Sequence, residues 1–186
     1  MSDLHILNAV TGYQEIIQAK SELEQNGTDF SEYKGQVQRI MHSLHPKRID
    51  LIVQAIIEET PTTKTIRLAS QHGEALPAFQ AGQYINLFVT VAGTYTARPY
   101  AIASSPIQAD YYDLTIKKAD AGFVSHYLVD QLSVGQTLQS SGPMGNFHHN
   151  PLFHGDDLVF LAGGSGSVPA RSMLLNLLEQ NLQQRF

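Results

Sequence analysis

Cysteine is absent from all 186 residues. No disulfide, no Cys-ligated zinc and no Cys-ligated iron–sulfur cluster can therefore form within this chain. Basic residues are outnumbered 12 to 17, for a net charge of −5, and they form no basic stripe, which argues against nucleic acid as a partner. No apolar run reaches the roughly 18 residues of a membrane span. The first ten residues, Met1 to Val10, lack a positive leader region and are expected not to act as a signal peptide, so the default expectation is a cytoplasmic protein. Internal repeats and low-complexity tracts are also missing. With 42% hydrophobic residues, the length suits one domain with a real core, or one domain plus part of another.

Three regimes follow one another along the chain. Residues 1–46 predict an αα-hairpin: Tyr13, Ile16, Ile17 and Leu23 fall near helical spacing before a stop at Asn26-Gly27, and a second helix from Asp29 carries the stripe Phe30, Tyr33, Val37, Ile40, Met41 and Leu44. Residues 47–154 switch to a period of two. Leu51, Val53, Ala55 and Ile57 alternate with their neighbours, and further short strands are expected at Thr65–Leu68, Gln83–Val91, Tyr95–Ala103, Tyr112–Lys118 and Thr137–Ser141. One helix, about Val124–Leu132, interrupts them, and the pattern predicts a six-stranded antiparallel barrel. Residues 155–186 open with Leu158–Ala162, apolar on both faces as a buried parallel strand would be. A helix follows, with Ser167 as its cap and Leu174, Leu177, Leu178 and Leu182 as its apolar face. The fold class is thus mainly β with α additions, ending in the first β-α unit of a Rossmann-like domain.

Three sites carry chemistry. Arg98, Pro99, Tyr100 and Ala101 lie on one strand; Arg98 and Tyr100 are two apart and leave the same face, where a guanidinium suits a flavin phosphate and a phenol suits an isoalloxazine ring. Gly122, Phe123, Val124 and Ser125 open a helix whose free N–H groups suit an anion. Gly163, Gly164, Ser165 and Gly166, followed by Pro169, join an apolar strand to a helix, the setting for a nucleotide pyrophosphate. Each alone also has a plainer reading: a cross-strand Arg–Tyr pair, an ordinary serine cap, a glycine turn without a ligand. His148, His149 and His154 lack a carboxylate or Cys at ligand spacing and fit a solvated loop better than a metal site.

In order and spacing together, these segments resemble the ferredoxin–NADP reductase superfamily, from Ile49 to the C-terminus. Its flavin signature Arg-x-Tyr-Ser/Thr matches Arg98 to Ala101, its Gly-x-x-Ser matches Gly122 to Ser125, its Ser-Gly-Pro-x-Gly-x-Phe matches Ser141 to Phe147, and its nucleotide turn matches Gly163 to Pro169. The resemblance implies an FAD-dependent, NAD(P)H-dependent oxidoreductase passing electrons to an iron–sulfur or haem partner. It implies that Arg98 meets the flavin phosphate, that Tyr100 and the Ala101 backbone hold the ring, and that Thr115, Ile116 and Lys117 line the ring or ribityl chain. Gly122, Val124 and Ser125 would donate to the pyrophosphate. The helical lead-in with His45-Pro-Lys-Arg48 resembles a subgroup from anaerobic bacteria whose members often append a [2Fe-2S] domain. Two departures stand out. Ala101 replaces a Ser or Thr, and only one strand of the nucleotide sheet precedes Phe186. A fragment of a longer reductase with poor activity alone, a sheet completed by a second chain through Leu158–Ala162, a non-enzymatic flavin-binding or interaction module, or the remnant of a broken reductase gene are the expectations that follow.

Overall fold

A computed structural model describes residues 13–26, 39, 48–150, 153–155 and 157–180. The chain divides into two compact units, residues 1–40 and 41–186. In the first, helix α1 (Tyr13–Asn26) ends at the expected Asn-Gly stop and carries an exposed Gln18–Glu22 hydrogen bond of 3.1 Å one turn apart. The second predicted helix lies outside the described residues except for Arg39, which is helical.

Among the described residues, the second unit is built on six antiparallel strands: β1 (Ile49–Thr60), β2 (Thr63–Ser70), β3 (Tyr84–Val91), β4 (Thr94–Ala101), β5 (Tyr111–Lys117) and β6 (Thr137–Ser140). They form one sheet in the order β4-β3-β6-β1-β2-β5. Just past β4, Ile102 bridges Leu114 of β5, so the two ends of the sheet meet and the barrel closes. Leu51, Ile66, Leu68, Ile85, Leu87, Ile102 and Leu114 fill it, each fully buried.

The alternation expected along β1 holds only for its first half. A bulge between Val53 and Ala55 shifts the register, so that Ile56 stands opposite buried Ile66 and joins the core, while Ile57 faces outward. An extra residue on one strand of a period-two ladder exchanges inside for outside. The β3–β4 hairpin turns on Ala92 and Gly93 alone, with φ of +48° and +78°, the paired left-handed conformations of a tight two-residue turn.

Helix α2 (Phe123–His126) opens the predicted helical stretch and runs into a wider π-turn, Tyr127–Gln131, closed by a 3.1 Å bond from Leu132 N–H to Tyr127 O. Leu128 and Val129 from this stretch plug the barrel.

The expected buried strand Leu158–Ala162 is not in a sheet. Its residues have no regular pairing, and Val159 and Leu161 are 87% and 93% exposed. An all-apolar strand is buried only between neighbours, and no described strand flanks it. Helix α3 (Ser167–Glu179) also departs from expectation: Val168, Met173 and Leu177 face inward with Ser172, whereas Leu174 and Leu178 are exposed. The inward stripe follows Met173 to Leu177, one helical turn, and packs onto the barrel at Gly82, where Met173 Cε lies 2.6 Å from where a Cβ would stand.

Candidate functional site

Strand β4 is the spine of the site. At its start, the hairpin tip (Val91, Ala92) and the beginning of α2 (Ala121, Gly122, Phe123, His126) line an open groove of 620 Å³. Gly122 is there because nothing larger fits: a Cβ would stand 2.2 Å from Ser125 Oγ and 2.8 Å from Ala119 Cβ. The Ser125 hydroxyl does not cap the helix. It accepts from Ala119 N–H and donates to Gly122 O, both at 3.1 Å, and so cinches the loop that enters the helix. Its side chain is already committed to the protein, and what this segment offers an anion is backbone: the first-turn amides of Phe123, Val124 and Ser125 have no carbonyl one helical turn behind them.

Further along β4, Arg98 pairs in register with Leu87 and Tyr100 with Ile85. Arg98 is exposed, and its Nη1 donates to Thr96 Oγ1 (2.9 Å) and to Ala97 O (2.7 Å), which fixes the guanidinium on the strand surface. Tyr100 is half-buried against the core. Burial pushes its phenol above the ordinary range and the nearby Arg98 charge pulls it back in part, so the two side chains are close electrostatically. Pro99 is exposed opposite Asn86, and Ala101 is half-buried opposite Tyr84.

On β5 the three predicted residues behave differently. Thr115 Oγ1 lies 2.8 Å from Thr65 Oγ1, Ile116 is buried in the core, and Lys117 is exposed. Only the backbone of Ile116 is available to a ligand. Beside them Arg67 clasps buried Asp113 through two bonds of 2.8 and 2.9 Å and lies over the Tyr111 ring at 3.7 Å.

The glycine turn lies against β5, the strand that meets the chain just past β4 at the Ile102–Leu114 bridge. Gly163 is extended, Gly164 takes φ +57°, and Gly164–Gly166 form a single tight turn lying against β5. Ser165 is exposed in the same turn. A Cβ on Gly163 or Gly164 would meet no protein atom within 4 Å, so the protein's own packing leaves that space open. Ser167, predicted as the helix cap, instead begins α3 and donates 2.9 Å to Gly164 O, locking the turn; Pro169 is the third helical residue.

The Ser141–Phe147 segment is structural support. Ser141 Oγ accepts from Asn86 N–H at 2.9 Å, Met144 and Tyr84 exchange backbone bonds of 2.9 Å, and the Phe147 carbonyl sits where a Cβ on Gly82 would be, 1.9 Å away. Sequence reasoning passed over Gly82, although a lone glycine before a strand is the signal a close backbone approach leaves. Of the three histidines, His149 bonds Gly155 O at 3.1 Å and His154 accepts from Asn150 N–H at 3.0 Å, which ties the loop together.

An antiparallel barrel with a helix-start groove beside β4 and an open glycine turn against β5 has the architecture of a nucleotide-cofactor module. Residues 50–149 match the family described as the oxidoreductase FAD-binding domain, and the chain belongs to it. The resemblance to ferredoxin–NADP reductases is borne out. The reductase component DmpP of phenol 2-monooxygenase from Pseudomonas sp. strain CF600 is 34% identical over 135 residues, 73% of this chain and 36% of that protein. The phenol hydroxylase P5 protein of Acinetobacter pittii strain PHEA-2 is 41% identical over 123 residues, 64% of this chain and 32% of that protein. Phthalate dioxygenase reductase, a modular structure for electron transfer from pyridine nucleotides to [2Fe-2S], shares the fold at a TM-score of 0.65 and 22% identity, over 74% of this chain and 41% of that one. The chain spans about a third of the length of the curated relatives it matches.

Proposed function

We propose that this chain is the flavin module of an electron-transfer reductase, holding FAD along β4 and presenting it to a nicotinamide nucleotide at the glycine turn. The observation that carries this reading is the arrangement on two neighbouring strands: a groove at the hairpin tip and Arg98, Tyr100 and Ala101 in sequence along β4, with the open turn Gly163–Gly166 against β5. The amides of Phe123, Val124 and Ser125 take the pyrophosphate, Arg98 the flavin-proximal phosphate, and Tyr100 with the Ala101 backbone the ring. The backbone of Thr115, Ile116 and Lys117 borders the ribityl side. FAD, when bound, supplies the ability to accept a hydride from NAD(P)H and to release electrons singly to an iron–sulfur or haem partner. The protein's own work is to bind, orient and shield.

In the whole protein, further domains, with a [2Fe-2S] domain among the candidates, complete the nucleotide sheet and receive the electrons. In the 186-residue chain, exposed Val159 and Leu161 make Leu158–Ala162 the surface through which a second copy or the missing strands would associate. Purified chain should be yellow and release FAD, rather than FMN, on denaturation. Mixing with NADH should reduce it slowly. A colourless protein that takes up no added FAD would refute the proposal, and fast reduction by NADH would refute the need for the missing strands.

A further inference from the structure

Helix α3 grips the chain immediately beyond Ala101. Arg171 Nη1 donates to Ala103 O at 2.5 Å, and Ser172 Oγ donates to Ser104 O at 2.7 Å. Ser105 Oγ donates to the Glu179 carboxylate. Ser172 is fully buried, an unusual place for a hydroxyl on a helix unless it has a partner. On the other side of Ala101, Met173 packs on Gly82, two residues before Tyr84, the cross-strand partner of Ala101. The backbone between these grips is itself tied down: Ile102 N–H donates to Gln83 O at 3.0 Å and Ala103 N–H to Asp113 O at 2.7 Å. The helix that begins at the glycine turn therefore holds the chain just beyond Ala101 and just before its cross-strand partner Tyr84. Ser172 lies six residues from Gly166, about 9 Å along the helix.

We propose that Ser172 and Arg171 are positioning residues for the flavin: they fix the Ala101 peptide that faces the ring and couple it to the state of the turn Gly163–Gly166. The proposal rests on the flavin reading of Ala101. It assigns α3 a second task besides opening the nucleotide turn. It also places part of the flavin site's rigidity outside the barrel strands. Because any such coupling is reciprocal, FAD would also alter the turn.

The test uses the full 186-residue chain with FAD as the probe. Ser172→Ala should weaken FAD about fivefold, the effect of one lost hydrogen bond. It should also shift the visible band shape and midpoint potential of bound flavin while unfolding stays cooperative. Ser172→Thr, which keeps the hydroxyl, should restore the affinity and both flavin readouts, and Arg171→Met at its more exposed position should shift them in the same direction as Ser172→Ala. Leu178→Ala, on the exposed face of α3, should change none of them. Amide exchange at Ile102 and Ala103 should rise several-fold in Ser172→Ala. A parent that binds FAD beside a Ser172→Ala protein of unchanged affinity, spectrum and potential overturns this role alone. A parent that takes up no FAD overturns the flavin reading and this role with it.

Discussion

At the scale of single residues, the site is defined as much by what cannot be enlarged as by what binds. Gly82 has φ +100° and no room for a Cβ against the Phe147 carbonyl. Gly82→Ala should therefore destabilise the chain by about 2 kcal/mol or more, seen as a lowered urea midpoint. Gly73 is also at positive φ, +75°, but faces open space, so Gly73→Ala should cost only the backbone strain, about 1 kcal/mol. Arg98 has a different kind of importance. Its bonds to Thr96 and Ala97 cost nothing to fold stability if lost from an exposed strand, but its charge is the one β4 offers a phosphate. Arg98→Ala should keep the parent's thermal midpoint and weaken FAD by about tenfold or more in a fluorescence titration, in line with a charge-assisted hydrogen bond. Ala101→Ser, which adds a hydroxyl at the position proposed to face the ring, should tighten FAD by a few-fold on the same titration, about 1 kcal/mol.

At the scale of elements, the tight β3–β4 hairpin sets one wall of the anion groove while holding Ala92 at φ +48°, a conformation an Ala adopts only under strain. Ala92→Asn should relieve it and raise stability by about 0.5 kcal/mol in chemical denaturation. Much at this scale was legible in the sequence. Period-two runs mark the six strands, and the order of three Gly- or Arg-bearing segments marks the family, because backbone conformation and phosphate chemistry leave local marks. The misses depend on partners or loop shapes that the local residue pattern does not carry. The bulge that turns Ile56 inward answers to β2, and the face α3 buries is chosen by Gly82 and residues 103–105. The Ser125 hydroxyl is claimed by Ala119, only six residues away, but through a loop shape that residue types alone do not encode. Leu158–Ala162 has the composition of a buried strand and, among the described residues, no strands to bury it.

At the scale of the whole molecule, two phenols, Tyr112 buried and Tyr100 half-buried, add to the loss of stability at alkaline pH. Burial raises Tyr100 and Tyr112 above the ordinary phenol range, and Tyr112 also donates to the Pro77 carbonyl. A folded value above the unfolded one means the stabilisation is complete below about pH 10 and is lost as the pH rises from there toward the folded values. Unfolding free energy should hold steady through neutral pH and fall above pH ~10, and Tyr100→Phe should flatten part of that fall. The strand order carries a consequence for synthesis. Strand β6 is laid between β3 and β1, so the β3–β4 hairpin and the three-stranded β1-β2-β5 half touch only at the Ile102–Leu114 bridge and share no ladder until residue 140 has been made. Between completion of β4 at Ala101 and the arrival of β6, a nascent polypeptide carries two sheets that no strand ladder joins, and a stop codon placed just before Thr137 should yield aggregates rather than a smaller folded body.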